Sequence, residues 1–370
     1  MRTIEHVLWG GSLIATVVVL ACTPARTPPP ASEAAPQMSP VTASSPQLDD
    51  RAIADFYRGK TIRFVVGFAP GGAFDLYSRL LAKHMPKHLP GNPTMVVENR
   101  PGAGSALAAN LVFNTEPKDG TVIASINEFL VLQQLLGAPG MEFDAARFQW
   151  LGSSVDTFST CVARADAPIT RIEDLIAGRE LVVGTTGPGA ATHDGPAVLN
   201  SALGTRFRLV SGYEGIATIN LALESREVDG FCVSFDALTI VARQQFDRNP
   251  PGLKVLVVFG DRTADHPWLR GVPAAEQLAR TPEARQLLRT IHGPSRMSKP
   301  FAVAPGVPSD RVEALRRAMA ASFADPDLIA EAQRSALEVS ARGGADVAAV
   351  VAELQAAPPE VVGRLKEILQ

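Results

Sequence analysis

Cysteine and aromatic residues are scarce in this chain. Three cysteines occur in 370 residues, and Phe, Trp and Tyr together make up 6%. No Cys-x-x-Cys pair and no His/Cys ligand spacing occurs, so no metal is expected and no cofactor is implied. So few aromatics leave no platform for stacked bases, and a formal net charge of −3 offers no basic face to a phosphate backbone. Nucleic acid is thereby excluded as a partner class. A G-x-S-x-G elbow, a P-loop lysine and an H-E-x-x-H helix are all missing. Pro101-Gly102-Ala103-Gly104-Ser105 lacks the third glycine of a dinucleotide fingerprint. A hydrolytic set can be drawn from His193, Asp194 and Ser105 or Thr192. Adjacent helical residues point about 100° apart, however, so His193 and Asp194 are not expected to share a side. The chain reads as a non-enzyme with no catalytic residue. No internal repeat and no long run of one charge is present.

Apolar runs long enough to cross a bilayer comfortably are also missing. Residues 7–21 have the length of a signal-peptide apolar region and end in Leu20-Ala21-Cys22. Two readings follow. Residues 1–22 are a lipoprotein-type signal peptide whose Cys22 becomes lipidated, or the chain is simply secreted and Cys22 is incidental. The stretch that follows favours the first. Residues 23–50 are rich in Pro, Ala and Ser, cannot bury a core, and are expected to form a disordered tether with a reach of about 30 Å. Export permits a disulfide between Cys161 and Cys232, which would leave no other cysteine unpaired; two buried free thiols are the alternative.

What is present is ordinary globular composition, 46% hydrophobic, with length enough for two domains of roughly 100–200 residues. The organising stretch is 60–99. An apolar run at 62–66 reads as a buried strand. Pro70, Gly71 and Gly72 break it, and Leu76, Leu80, Leu81 and Met85 then recur on one helical face. Strand, glycine turn and helix in that order aim backbone N–H groups and a positive helix end at one spot. No Lys or Arg lies in the turn, so a small carboxylate suits it better than a polyphosphate. The same order returns at 181–203, where Thr185, Thr186, Gly187, Pro188, Gly189, Ala190 and Thr192 lead into a helix carrying Val198, Leu199 and Leu203. Alternating strands and helices predict βαβ units, each lobe a mainly parallel sheet. Thr170 with Glu173 reads as a capping box, Ser309 as a helix N-cap, and Pro358-Pro359 as a helix break. Asp75 is expected in the first turn of its helix, where a carboxylate meets the dipole.

The segment GKTIRFVVGFAPGGAFDLYSRLLAKHMPKHLPGNPTMVVENRPGAG, with VGTTGPGAATHD, YEGIATINLALESREVDG and MSKPFAVAPGVPSDRVEALRRA, resembles the extracytoplasmic solute receptors of tripartite tricarboxylate transporters, the Bug (TctC) family. The resemblance covers nearly all of the chain after the tether. It implies an α/β, two-lobed type II periplasmic-binding-protein fold, with 51–158 plus 256–370 as one lobe and 159–255 as the other. It also implies a monomer that binds a small organic carboxylate and hands it to a membrane permease. The ligand loops carry over to Pro70, Gly71, Gly72, Ala73, Phe74 and Asp75, and to Thr185, Thr186, Gly187, Gly189, Ala190 and Thr192. Asn127, Ser234 and Asp236 are further cleft-lining candidates. Phe74 departs from the family, in which a small hydroxyl residue is common there, and so does His193-Asp194. A periplasmic sensor feeding a signalling partner is the alternative function, and a hydrolase the less favoured one.

Overall fold

Two mixed sheets, each sandwiched by helices, make up the computed structural model, which describes residues 49–169, 171–260 and 266–369. The signal peptide, Cys22 and the tether as far as residue 48 lie outside the described residues, as does Thr170. The tether expected through residue 50 stops short of it. Asp50–Tyr57 is a helix, and the Asp49 carboxylate caps it by accepting from the Arg51 and Ala52 amides at 3.0 and 3.2 Å.

The strands are β1 (Thr61–Val66), β2 (Thr94–Asn99), β3 (Val122–Ser125), β4 (Gln149–Val155), β5 (Ser159–Arg164), β6 (Leu181–Thr185), β7 (Phe207–Ser211), β8 (Gly230–Ser234), β9 (Leu253–Val258), β10 (Ser298–Val303) and β11 (Arg342–Gly343). The first sheet has the order β11-β4-β10-β3-β1-β2, the second β7-β6-β8-β5-β9. Each keeps a parallel part, β3-β1-β2 and β8-β6-β7, made by the βαβ units. Antiparallel strands complete each one: β10, β4 and β11 in the first, β5 and β9 in the second.

Residue alternation explains how both faces of a sheet are buried. In β1, Ile62, Phe64 and Val66 pack with Leu81, Leu315 and Met319, while Val65 packs on the other face with Ala109, Val112 and Trp150. In the second sheet Cys161, Leu181, Val183 and Cys232 face one core, and Val162, Phe231 and Val233 the other. Cys161 lies directly opposite Cys232 across β5 and β8, with Cα atoms 4.0 Å apart, and a disulfide joins them.

The chain crosses between the sheets at 156–158 and again between β9 and β10. All of β9 pairs with β5 in the second sheet, so a lobe boundary between 255 and 256 falls inside a strand. A third crossing follows helix Gly344–Gln355, which packs on β4. At Pro358-Pro359 the helix breaks, and helix Pro359–Leu369 puts Val361, Leu365 and Leu369 into the core of the second sheet. Two helix starts differ from expectation. Helix Ser309–Phe323 begins at Ser309 itself, with Pro308 preceding it and no side-chain cap. Helix Ile172–Ile176 follows Arg171, whose N–H donates to Asp174 at 3.2 Å.

Candidate functional site

Both glycine turns leave the C-terminal ends of parallel strands, the edge where open α/β sheets hold ligands. After β1, Gly67 comes so close to the 102–105 turn that a Cβ on it would lie 1.8 Å from the Ser105 hydroxyl oxygen. That hydroxyl accepts the Asn127 amide at 3.2 Å, and Asn127 Nδ2 donates to the Gly104 carbonyl at 3.4 Å. Asn127 is thus tied to the 102–105 turn rather than to Pro70–Asp75.

Gly71 has φ +86°, a conformation glycine adopts freely. Helix Ala73–His84 then starts at Gly72 with no side-chain cap, leaving its first amides without intrahelical acceptors. Residues 69–73 are exposed. Asp75, 1% exposed, sits in the first turn. Its Oδ2 accepts from the Gly71 amide at 2.8 Å and Arg79 Nε at 2.9 Å, and its Oδ1 from Asn99 Nδ2 at 2.9 Å. Burial opposes the charge, but Arg79, Gly71 and Asn99 together outweigh it and hold the carboxyl below its ordinary value. One amide of the expected cradle, that of Gly71, is therefore spent inside the protein. Those of Ala73 and Phe74 remain at the uncapped helix end. Phe74 is half-buried and stacks on Phe68 with ring centroids 4.3 Å apart, at the margin of the core.

The second turn repeats the plan with different parts. Thr185 is buried and meets the Ser211 hydroxyl at 2.9 Å. The Thr186 amide donates to Thr192 Oγ1 at 3.1 Å, and the two threonine hydroxyls lie 2.9 Å apart. Gly187 and Gly189 have φ +138° and +84°. Helix Ala191–Leu203 begins at Ala190, again uncapped. Asp194, 4% exposed, takes the Gly189 amide at 3.0 Å. Contrary to the angular argument from sequence, His193 Nδ1 does reach Asp194 Oδ1, at 3.1 Å, because the side chains bend toward each other in the first turn. The Thr192 and Ser105 hydroxyls are engaged elsewhere, and among the described residues neither is bonded to His193.

This turn also touches the segment that joins β3 to β4 of the first sheet. Gln133 Nε2, on helix Leu130–Leu135, donates to the Gly189 carbonyl at 3.5 Å. Phe129, Leu132, Leu136, Pro188, Asp194 and Lys366 line a crevice of about 280 Å³ there. Among the described residues, no hydrogen bond or ion pair joins 70–75 directly to 185–192.

Ser234 and Asp236 begin the short helix after β8, and they meet a residue that sequence reading did not single out. Lys299, at the start of β10, sends Nζ to within 2.6 Å of Asp236 Oδ2, with the side chains 8% and 11% exposed. It is a non-glycine residue at φ +54°, a backbone state costing roughly 1–2 kcal/mol. Burial opposes ionisation of Asp236, yet Lys299, helped by Ser234 and Thr157, keeps its carboxyl below the ordinary value. Nearby Glu128 is 7% exposed and accepts from Ser298 Oγ at 2.7 Å; its burial pushes the carboxyl up. Tyr77 donates to the Glu338 carbonyl, and burial raises its phenol, with Asp236 and Glu338 adding to the effect. Lys299 lies in the MSKPFAV segment, but nothing in that segment marks it as paired, since its partner is 63 residues away.

The comparisons bear on the family and on the fold. Residues 77–358 match the family described as TctC, tripartite tricarboxylate transporter family receptor. A UPF0065 protein of Bordetella pertussis is 30% identical over 184 residues, 48% of this chain and 55% of the relative. A UPF0065 protein from the tcbD-tcbE intergenic region of Pseudomonas sp. strain P51 is 26% identical over 298 residues, 79% of this chain and 81% of the relative. The chain spans about half the length of several curated relatives it matches, such as 52% for one from Agrobacterium vitis. In fold, it is similar to a TctC solute binding protein from Polaromonas, with TM-score 0.64 and 22% identity over 84% of this chain and 98% of that one. It is also similar to MatC from Rhodopseudomonas palustris with bound malate, with TM-score 0.57 and 20% identity over 84% and 99% of the two chains. A third similar structure, from R. palustris, holds adipate, with TM-score 0.57 and 20% identity over 83% of this chain and 97% of that one. A match over so much of its length establishes that the chain belongs to the tripartite tricarboxylate transporter receptor family.

Proposed function

We propose that this chain is an extracytoplasmic receptor that binds one small organic carboxylate between its two lobes and, on closure, presents it to the permease of a tripartite tricarboxylate transporter. The observation that carries the reading is the pair of uncapped helix N-termini, Ala73–His84 and Ala191–Leu203, one at a strand end of each sheet. In each turn a buried aspartate pins a glycine amide, so the next amides are pre-aimed rather than floppy. A carboxylate takes the amides beside Gly72, and the other end of the ligand reaches the 185–192 turn. Each charge-assisted hydrogen bond contributes roughly 1.5–3 kcal/mol, and a few of them, less ordering costs, reach the ~8 kcal/mol of micromolar binding. The malate and adipate carried by similar folds support this ligand class. We further infer export as a monomer anchored by a lipid on Cys22; a Cys22→Ser chain is then expected to leave the membrane fraction, and its retention there would exclude the anchor.

The test is a thermal-shift screen of mono-, di- and tricarboxylates and amino acids. A true ligand at a hundredfold excess over Kd stabilises by about 2.7 kcal/mol. Gly72 has φ −80°, and a Cβ on it would meet nothing nearer than the Ala69 carbonyl oxygen at 3.8 Å, so Gly72→Val folds but blocks the amides. Normal ligand binding by Gly72→Val, or no stabilisation by any carboxylate, rejects the reading.

A further inference from the structure

In the second sheet β9 is an edge strand, paired with β5 on one side and with no strand on the other. Among the described residues, its outer side is joined to the chain at Val258, which bridges to Ala274 and whose amide donates to the Pro273 carbonyl at 3.1 Å. Upstream of that bridge lies a slot of about 490 Å³, with the 267–273 segment as its other wall. Leu253, Lys254, Val255 and Leu256 all line it. Successive strand residues point to opposite faces, so a cavity that touches four in a row runs along the edge of the strand and not over a face. The slot therefore gives onto about 13 Å of strand edge, whose outward N–H and C=O groups are those that a further strand pairs with.

The walls select which strand. Trp268, partly buried and stacked on Phe246 with ring centroids 4.1 Å apart, offers an apolar surface, and Val272 extends it. Lys254 and Arg270 are exposed, and neither forms an ion pair among the described residues. Arg171 adds a third cation, against one carboxylate in the lining, Glu173, which it pairs with at 3.1 Å. A second copy of β9 in the slot would bring cations against cations, the repulsion by which edge lysines keep like edges apart. A strand carrying carboxylates meets the surplus charge instead. We propose that β9 accepts, as an added strand, an acidic extended segment of a partner polypeptide. Its main chain pairs along 253–256, its carboxylates meet Lys254 and Arg270, and its apolar side chains lie against Trp268. β9 stands three strands away from β6 and its glycine turn, so this surface is separate from the ligand turns.

Fluorescence anisotropy on the whole mature chain tests this with three labelled heptapeptides: alternating Glu and Val, alternating Lys and Val, and the acidic one with alternate amides N-methylated. The acidic peptide is expected to bind at least tenfold tighter than the lysine peptide. N-methylation is expected to weaken it at least tenfold, because a methylated nitrogen has no hydrogen to give the edge. The double variant Lys254→Glu with Arg270→Glu is expected to reverse the preference between the two charged peptides. Hydrogen exchange of the 253–256 amides is expected to slow when the acidic peptide is bound. Acidic and lysine peptides of equal affinity, an N-methylated peptide as tight as its parent, or no binding of the acidic peptide at millimolar concentration each overturn the proposal. So does protection of 253–256 that grows with protein concentration and needs no peptide, which makes the occupant a second copy of this chain. If the double variant does not fold, the three-peptide comparison on the native chain decides alone.

Discussion

The two glycine turns use one device and reinforce it differently. In both, an aspartate in the first helical turn reaches back to a glycine amide, over four residues from Asp75 to Gly71 and five from Asp194 to Gly189. The first turn is held by charge: Asp75 is clamped by Arg79 and Asn99 as well, all within one lobe. The second is held by hydroxyls, Thr186 with Thr192 and Thr185 with Ser211, and it leans on Gln133 from the helix between β3 and β4 of the first sheet. The first turn is therefore a fixed anchor. If the lobes part as proposed, the second turn has a neighbour to lose, so it is the one to follow when motion is measured.

The largest effect that would sharpen this contrast is steric. In Gly67→Ala the new methyl meets Ser105, a buried residue with φ +84°, so neither side can yield. A loss of about 3 kcal/mol is expected in chemical denaturation. The counterpart in the second lobe, Gly184→Ala, meets the γ2 methyl of Ile219 at 2.8 Å and the Tyr213 ring at 3.2 Å. The half-buried Tyr213 ring can turn and Ile219 must give by a small shift, so a smaller loss, about 1–2 kcal/mol, is expected. Equal losses would remove the claim that the first turn is the stiffer.

Next comes charge. Asp75→Asn gives up the ionic part of a buried carboxylate, and a loss of roughly 1.5–3 kcal/mol is expected, more than for Asp194→Asn. Because the Asp75 carboxyl is lowered in the folded state, its contribution is present above the unfolded value near pH 4 and fades as pH falls through the folded one. Stability curves of the native chain and Asp75→Asn should therefore converge below about pH 4. Parallel curves would mean that Asp75 is not the stabilising charge.

The smallest effect separates conformation from contact. Gly71→Ala places a side chain at φ +86° and is expected to cost about 1 kcal/mol, whereas Gly72→Ala, at φ −80°, is expected to be neutral. Thermal melts of the two variants give the comparison directly.

Much of this architecture is legible in residue order. Apolar strands followed by glycine turns and 3.6-period helices mark the βαβ halves, and Asp75 is readable as a first-turn carboxylate. The antiparallel strands are harder. In β4, Gly152, Ser153 and Ser154 replace apolar residues, and burial comes from β10, Met319 and helix Gly344–Gln355 far along the chain. The membership of β9 in the second sheet is likewise set by its pairing with β5 and not by any local signal. Lys299 and Glu128 look like surface residues until the fold supplies Asp236 and Ser298. Buried charge of that kind is a property of pairs, and the partner is invisible in a local window.

Helix Pro359–Leu369 has a consequence for biosynthesis. Its Val361, Leu365 and Leu369 complete a core begun some two hundred residues earlier by Cys161 and Leu181. A nascent chain holding everything through β9 still lacks part of its inner wall. That half cannot close until residues 359–369 have left the ribosome, and a chain arrested before them presents bare apolar surface to chaperones.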